Sequence, residues 1–453
     1  MLKFIRKHIV FSVSMVVFLH LILLISLKFT AWPETSLWPY LMTKGWLPYR
    51  DIAIAHTPLM LVKLAIFYKI FGAGILQLKI FTWLLILFLD GIIFVIAKKL
   101  WNIKTASTAV SAFAFWQVLF DGNGLWFDLF MGGVAFVSFY FIQKKKYLLA
   151  GIFWALAFLS KQTAIWFLLP ILFAAISGKR STVKESIVKF ALGVLPVISI
   201  FLLGIYLLRI FPDFWYWAVK FGIFILPNAQ GQILLPDLKN LIVSAFPFLI
   251  FIPLILKTGR KNIHLLIWAV AGSLGAYPRF EYFHFQPAIP FLAIATAQFL
   301  NTFKKPDKLM RSFILIYLLG SLYLFGGFFM RNYKEGTRFY ETNVSNVVTF
   351  VNYNTKVGDR IFVLNWWDNI YALTGTEPAT KPWTPQLSWY MDIPGVQEKM
   401  IESLESDPPK LIIYNPYTIS GLSSYVPQKV YDFVTENYRI RQRVDNLEIL
   451  IKK

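Results

Sequence analysis

The sequence predicts a polytopic α-helical membrane protein that ends in a small α/β domain. Hydrophobic residues make up 57% of the 453 residues and aromatic residues 18%, and the mean hydropathy is +0.57. These values exceed what the core of a soluble domain needs. Long apolar stretches recur up to about residue 330, after which charged residues, asparagines and prolines return. The chain therefore divides into a membrane domain, 1–330, and a C-terminal domain, 331–453.

Eleven candidate spans follow from the rule that a membrane-crossing helix needs about 20 apolar residues, with shorter helices inside a bundle. The first is a retained signal anchor, because its apolar run is too long for a signal peptide and lacks a small-residue cleavage site. The predicted spans are 9–29, 80–97, 105–120, 129–142, 147–160, 163–176, 190–208, 240–256, 263–277, 284–300 and 312–330.

The net charge of +21 is interpreted here as an orientation signal. Basic residues do not alternate with aromatic residues as in soluble RNA-binding chains, so no nucleic acid partner is expected. With eleven spans the basic clusters fall on one side, the cytoplasm, among them Lys98, Lys99, Lys104 and 144–146. The N-terminus is then cytoplasmic in an inner-membrane protein, and the C-terminal domain is extracytoplasmic. Membrane lipids are the expected partners of the surplus charge.

The requirement that all basic clusters lie on one side of the membrane also decides whether two further apolar segments are spans. Residues 57–71 could pass for a span, but counting them would invert every later basic cluster, so we predict an interfacial helix within the outer first loop, 30–79. Residues 147–176 would be about 45 Å long as one helix, which exceeds a hydrocarbon core of about 30 Å. Two short helices with Lys161 at their turn are therefore expected.

The C-terminal domain alternates apolar strands with an amphipathic helix, which is typical of a sheet with flanking helices. Strands are predicted at 361–365, 411–414 and 447–451, and a helix at 427–437. The domain has no glycine-rich phosphate loop, HExxH motif or nucleophile elbow, so the sequence gives it no catalytic role. The chain has no cysteine, which excludes disulfides and thiolate metal sites.

Ionisable residues on the predicted outer side form the candidate site. A carboxylate near a bilayer surface is a candidate for chemistry on a lipid-borne substrate, either as a general base or as a ligand of a divalent cation that bridges to phosphate. The candidates for catalysis are Glu34, Asp51 and Asp128, and Glu34 and Asp128 are also the candidate metal ligands. Basic candidates are Lys161, Arg279 and His284.

Each candidate also has a structural explanation. Glu34 and Asp128 could stabilise the start of a helix, and Asp51 could form a loop ion pair with Arg50. His284 could satisfy a hydrogen bond at a helix start. The sequence leaves these alternatives open.

The order of the motifs resembles the GT-C membrane glycosyltransferases over residues 1–330. The motifs are GWLPYRDIAIAHTPL in the first loop, LWFD before the fourth span, LAFLSKQTA around Lys161, and PRFEYFHFQPAIPFLA. Within this fold the chain is most similar to bacterial relatives of the protein O-mannosyltransferases and to the lipid A aminoarabinose transferase. The later pattern GDRIFVLNWWDNIYALTG resembles the extracytoplasmic tail of many bacterial members.

This resemblance implies that a sugar is transferred from a polyprenyl-phosphate donor to a protein, lipid or glycan acceptor, with inversion at the anomeric carbon. Lys161, Arg279 and His284 would then lie near the lipid phosphate. Many relatives have Asp-Glu where this chain has Pro33 and Glu34, so Glu34 and Asp51 both remain candidates for the base. A flippase of lipid-linked saccharides and a non-catalytic scaffold of the cell envelope are the alternatives, although no inverted repeat supports a transporter.

Overall fold

The computed structural model describes residues 2–177, 180–229, 231–303, 306–417 and 425–453. Two compact units result from the contacts within the chain, and each consists of three stretches. We call Met1–Phe29, Thr82–Leu203 and Leu234–Gly336 the bundle unit, and Thr30–Phe81, Gly204–Ile233 and Thr337–Lys453 the sheet unit. The predicted boundary at 330/331 lies close to the break after Gly336. As a division of domains it stays a prediction.

The bundle unit is mainly helical up to residue 332. Two helices begin in one unit and end in the other, namely Ile75–Leu100 and Arg180–Leu207. The remaining α-helices are Leu2–Ser26, Ile103–Leu119, Phe127–Gln143, Tyr147–Phe158, Leu168–Ile176, Leu238–Ala245, Phe251–Thr258, Ile263–Ser273, Ile289–Thr302 and Lys308–Asn332. Short 3₁₀ segments, Gln162–Phe167 and Tyr282–Ala288, precede two of them.

Four helical segments in the described part of the chain are long and apolar enough to cross a membrane: Ile75–Leu100, Thr182–Leu207, Leu238–Thr258 and Lys308–Asn332. Shorter apolar helices accompany them, including Phe127–Gln143 and Ile263–Ala276. Most predicted spans overlap one of these helices, but length and composition alone do not establish which of them cross. The count of eleven spans and the orientation of the chain in the membrane therefore stay predictions. The apolar stretch 147–176 breaks at Lys161, as the sequence predicted.

A buried carboxylate in the bundle unit is hydrogen-bonded to a neighbouring helix. Asp90 Oδ2 lies 2.9 Å from His20 Nδ1, and His20 Nε2 lies 3.3 Å from Gln117 Oε1. All three side chains are buried. A carboxylate in an apolar helix needs such a partner, so this contact holds three helices together.

Two glycines allow a close helix crossing in the bundle unit. A Cβ on Gly151 would lie 2.1 Å from the carbonyl oxygen of Phe190, and a Cβ on Gly193 would lie 2.0 Å from that of Leu148. Helices Tyr147–Phe158 and Arg180–Leu207 therefore pack backbone to backbone, a contact that small residues permit in membrane bundles.

Gly151→Ala is expected to lower the thermal stability of the protein, because the added methyl group separates the two backbones. Overpacking of this kind costs about 1–3 kcal/mol, more than the helix propensity that alanine adds. Gly91→Ala is the matched control, because a Cβ there has no atom within 4 Å. Thermal unfolding followed by intrinsic fluorescence measures both variants, and equal melting temperatures would contradict the close crossing.

The sheet unit contains a mixed five-stranded sheet. Its strands, in spatial order, are Glu377–Pro378, Arg360–Leu364, Ile412–Tyr414, Leu447–Lys452 and Tyr438–Val444. The first three are parallel to one another and the last two are antiparallel to their neighbours. Three predicted strands and the predicted helix overlap observed elements, whereas the strand Tyr438–Val444 was missed because its exposed charged residues hide the alternation.

The other elements of the sheet unit are mostly helical. They are the helices Pro33–Thr43, Leu59–Phe71, Phe211–Phe214, Thr342–Asn354, Asn369–Thr374, Ser388–Met391, Val396–Ser406 and Gln428–Asn437, and a π-helical segment, Trp215–Ile225. Leu59–Phe71 matches the segment that the sequence assigned to an interfacial helix. Its position relative to a bilayer stays a prediction.

Candidate functional site

The predicted site residues fall into two groups. Asp128, Lys161, Arg279 and His284 lie in the bundle unit, and Glu34 and Asp51 lie in the sheet unit.

Three of the bundle residues form one buried cluster. Lys161 Nζ donates a hydrogen bond of 2.6 Å to Asp128 Oδ2. His284 Nδ1 lies 3.0 Å from both the ammonium and the same carboxylate oxygen. It can donate to the carboxylate or accept from the ammonium, but only one at a time. The cluster therefore pairs its charges internally, and Asp128 Oδ1 has no hydrogen-bond partner among the described residues.

Local backbone structure brings the cluster together. Asp128 lies in the first turn of helix Phe127–Gln143, whose N-cap is Trp126, so it is placed to stabilise the start of this helix through the helix dipole and not as the cap itself. Lys161 has extended backbone at the break between two helical segments, and His284 lies in the 3₁₀ turn before Ile289–Thr302. The side chain of Lys161 is only 5% exposed. Its ammonium thus contacts a carboxylate, and its predicted contact with a lipid phosphate stays a prediction.

Arg279 lies outside this cluster and is the most accessible of the predicted basic residues. Its side chain is 35% exposed, and Nε lies 4.0 Å from Glu281 Oε1. It is close enough to exert an electrostatic effect on His284. An exposed guanidinium can bind a phosphate through two parallel hydrogen bonds.

In the sheet unit, Glu34 lies near a second acidic residue, Asp368. Glu34 is in the first turn of helix Pro33–Thr43, where Trp32 is the N-cap and no side chain caps the helix, so Glu34 is not the cap that the sequence allowed. Burial raises the pKa of Glu34, with a smaller opposing effect from its own backbone amide. Its Oε2 has no hydrogen-bond partner among the described residues.

Asp368 and Tyr390 complete this group. Burial and then the charge of Glu34 raise the pKa of Asp368 well above its usual value, against a hydrogen bond from Trp383. The same two causes raise the pKa of Tyr390. The ionised Glu34 carboxylate therefore favours the protonated forms of Asp368 and Tyr390. We call Glu34 and Asp368 the carboxylate pair.

Asp51 has a different environment. Its Oδ2 accepts a 2.8 Å hydrogen bond from the Leu47 amide, Arg50 Nε lies 3.2 Å from Oδ1, and Lys381 Nζ lies 3.5 Å from Oδ2. Burial acts to raise its pKa, but the hydrogen bonds from Arg50 and Leu47 and the charges of Lys381 and Arg50 hold the pKa below its usual value. The ion pair that the sequence allowed is present, and Asp51 acts as an anchor of this turn.

The divalent cation that the sequence allowed stays a prediction. The described part of the chain contains no group of three or more His, Asp or Glu residues placed to hold a metal. Asp128 Oδ2 accepts a hydrogen bond from the Lys161 ammonium, whose positive charge opposes a cation at this oxygen.

Sequence reasoning missed Asp368 and Tyr390. Asp368 lies in the segment WWDN, directly before helix Asn369–Thr374. The motif was recognised as part of a C-terminal tail, but its sequence gives no sign that its carboxylate lies beside a residue 334 positions earlier in the chain. A polar residue between tryptophans and a buried helix was the available signal.

Comparisons with known proteins agree with the predicted resemblance. A family model described as dolichyl-phosphate-mannose-protein mannosyltransferase matches residues 55–204. No curated protein shows significant sequence similarity to the chain.

Solved structures share the fold over nearly the whole chain. ArnT from Cupriavidus metallidurans bound to undecaprenyl phosphate has 11% sequence identity and a TM-score of 0.65, covering 98% of both chains. Its apo form has 13% identity and a TM-score of 0.67, covering 97% of both. The oligosaccharyltransferase AglB from Archaeoglobus fulgidus, in complex with an inhibitory peptide and a dolichol-phosphate, has 11% identity and a TM-score of 0.54. That match covers 88% of this chain and 69% of AglB.

The chain therefore resembles the GT-C glycosyltransferases, as the sequence predicted. It has an ArnT-like membrane fold, and the family match relates it to sugar transferases. At these identities the structures establish the fold and leave the donor, the acceptor and the site residues to be argued from this chain.

Proposed function

We propose that this protein transfers a sugar from a polyprenyl-phosphate donor to an acceptor on the extracytoplasmic face of the membrane, with inversion at the anomeric carbon. The carboxylate pair carries the proposal. Glu34 has a raised pKa and a buried oxygen without a partner among the described residues. A general base works best when its pKa approaches the working pH, so Glu34 suits this role better than Asp51.

The proposed reaction is a single displacement. Glu34 takes the proton of an acceptor hydroxyl as the oxygen attacks the anomeric carbon. The bond between that carbon and the phosphate oxygen breaks, and polyprenyl phosphate leaves with the bonding electrons. The charge of the ionised Glu34 favours the protonated form of its neighbour Asp368.

Basic residues would stabilise the leaving phosphate. Arg279 is the first candidate because its guanidinium is accessible. Lys161 and His284 are proposed to support this role from the buried cluster with Asp128. The undecaprenyl phosphate bound to the similar ArnT structure supports a lipid donor, and the predicted distribution of basic loops supports the extracytoplasmic face.

Purified protein in lipid nanodiscs is expected to consume a polyprenyl-phosphate sugar and release polyprenyl phosphate. The donor pool is extracted from cells that lack this gene, where the unused donor accumulates, and an envelope extract supplies the acceptor. Mass spectrometry measures the released lipid phosphate. Movement of intact donor across proteoliposomes without cleavage would instead identify a flippase, and no change of any lipid would contradict both functions.

A further inference from the structure

Trp383 contacts both segments that carry the carboxylate pair and has no role in the reaction described above. Its buried side chain donates a hydrogen bond to Asp368. Its ring packs edge to face on Trp38, with 6.3 Å between the ring centroids. Trp38 lies four residues after Glu34, and residues at this spacing share one face of a helix. One buried ring therefore contacts Asp368 itself and the helix that carries Glu34.

Backbone hydrogen bonds fix Trp383 to the chain around Asp51. The Trp383 amide donates a 2.9 Å hydrogen bond to the Asp51 carbonyl, and the Trp383 carbonyl accepts one of 2.9 Å from the Ala53 amide. Ile52, between these two partners, is paired with Trp383 as in a parallel sheet. The position of the indole ring is therefore set relative to the stretch of chain that also contains Glu34.

The side chain of Gln386 fixes the chain three residues after Trp383. Gln386 Oε1 accepts a 2.9 Å hydrogen bond from the Asn365 amide, and Nε2 donates one of 2.5 Å to the Val363 carbonyl. Both backbone groups lie at the end of strand Arg360–Leu364. The buried side chain supplies one donor and one acceptor, so it takes the place of a neighbouring strand there.

The loop that carries Asp368 begins where Gln386 binds, because Asn365 precedes Asp368 by three residues. Gln386 thus holds the start of this loop, and Trp383 binds the carboxyl group further along it. The segment from Trp383 to Gln386 is therefore anchored on both sides of the contact with Asp368.

The hydrogen bond from Trp383 acts on the charge of the carboxylate pair. The ionised Glu34 favours the protonated form of Asp368, so the two groups titrate together and the pair holds one proton and one negative charge before both ionise. An indole N–H can only donate, so it stabilises the form of the pair that carries this charge over the form that carries none. An ionised base is the form that can take a proton from an acceptor hydroxyl.

We infer that Trp383 is a positioning residue of the transfer site: its indole N–H holds Asp368 beside Glu34 and stabilises the single negative charge that the pair carries when the base is ready to act. Gln386 supports this role by holding Trp383 in place. Neither residue takes part in the bond changes. The action on the base rests on the proposed function, whereas the contact between Trp383 and Asp368 does not.

Trp383→Phe is expected to move the acidic limb of the pH profile of kcat/KM to higher pH by about half to one unit. The phenyl ring keeps the packing on Trp38 but lacks the N–H, so the apparent pKa at which the pair first ionises rises. The charges of the pair also act on Tyr371 and Tyr390, whose raised pKa values keep both hydroxyl groups protonated across this range. Release of polyprenyl phosphate in nanodiscs gives the profile.

Two further variants complete this test. Trp46→Phe is the matched control, because Trp46 Nε1 donates a 3.0 Å hydrogen bond to another carboxylate of the same unit, Glu377. This variant is expected to leave the acidic limb in place. Gln386→Met removes both hydrogen bonds to the strand at a similar side-chain size, so it is expected to move the limb in the same direction as Trp383→Phe.

A double-mutant cycle tests the contact without turnover. Melting temperatures in nanodiscs are measured for the wild type, Trp383→Phe, Asp368→Ala and the double variant. Two residues that share a hydrogen bond lose it only once, so the double variant is expected to melt about 2 °C above the value that the two single changes give by addition.

An acidic limb that stays in place in Trp383→Phe overturns the inference even where turnover falls, because a loss of packing lowers turnover at every pH. Additive changes in the cycle overturn it as well. Either result in a wild-type protein that transfers sugar rejects the inference alone. A non-additive cycle in a protein that transfers no sugar supports the contact and rejects the proposed function.

Discussion

Glu34→Gln is expected to abolish sugar transfer while making the protein more stable. Loss of a general base lowers turnover by about 10²- to 10⁴-fold. The stability gain has a separate cause. Burial raises the pKa of Glu34, so the folded state binds its proton more tightly than the unfolded state does. Stability then falls as pH rises from the ordinary value of 4.5 towards the raised value, and above it the full cost of the buried charge is present.

The neutral glutamine removes that cost. We expect the melting temperature to rise by about 2 °C or more at pH 8, with a gain that shrinks as pH falls towards 4.5. Scanning fluorimetry across this pH range and release of polyprenyl phosphate measure the two effects on the same preparation. Full turnover in the variant would reject Glu34 as the base. A lower melting temperature at pH 8 would contradict the claim that the buried charge of Glu34 destabilises the folded protein.

Asp51→Asn is expected to change the melting temperature in the opposite direction. Glu405→Gln is the control, because Glu405 is an exposed carboxylate of the same unit. Because the folded pKa of Asp51 is lowered, its contribution to stability is complete above the ordinary value of 3.8 and is lost as pH falls through the lowered value. Asp51→Asn is therefore expected to lower the melting temperature at neutral pH. A rise in melting temperature like that of Glu34→Gln would contradict the lowered pKa of Asp51 in the folded protein.

Lys161→Met is expected to destabilise the bundle unit by about 3–5 kcal/mol, the usual effect of removing one partner from a buried ion pair. The carboxylate of Asp128 is fully buried and would lose the 2.6 Å hydrogen bond from the ammonium. His284 alone would then contact Oδ2. The yield of monodisperse protein and its melting temperature in nanodiscs measure the loss.

The double variant Asp128→Asn with Lys161→Met separates pairing from packing. Removing both charges is expected to restore most of the stability that either single change loses, because no uncompensated charge stays buried. Additive losses in this double-mutant cycle would contradict a direct pair. The variant Lys189→Met is the control, since Lys189 forms an exposed ion pair with Glu185 within one helix.

Composition and apolar length predicted the class of the fold, because a bilayer imposes helices of a known minimum length. The same rule could not determine which helices cross, since Tyr147–Phe158 and Leu168–Ile176 are too short to decide by length. The strand Tyr438–Val444 was missed for a related reason: its residues from Arg439 to Arg443 are exposed, so no alternation marks it.

The bundle cluster illustrates what local sequence can give. Lys161 between two apolar segments needed a polar partner, and this requirement placed it near other ionisable residues. The identity of the partner, Asp128, depended on packing between helices. The contrast between Glu34 and Asp51 was less accessible still. Local hydrogen bonds from Arg50 and Leu47 account for part of it, but Lys381, which contacts Asp51, and Asp368, on which Glu34 acts, come from the far end of the chain.

The sheet unit is assembled from three separate stretches of the chain, and this determines when the carboxylate pair can form during biosynthesis. Asp368 and Tyr390 leave the ribosome more than three hundred residues after Glu34. A ribosome-bound chain that ends before Asp368 therefore carries Glu34 without Asp368 or Tyr390. The newly made protein would therefore acquire the carboxylate pair only after the chain has been made as far as Asp368, with the long apolar helices that precede it.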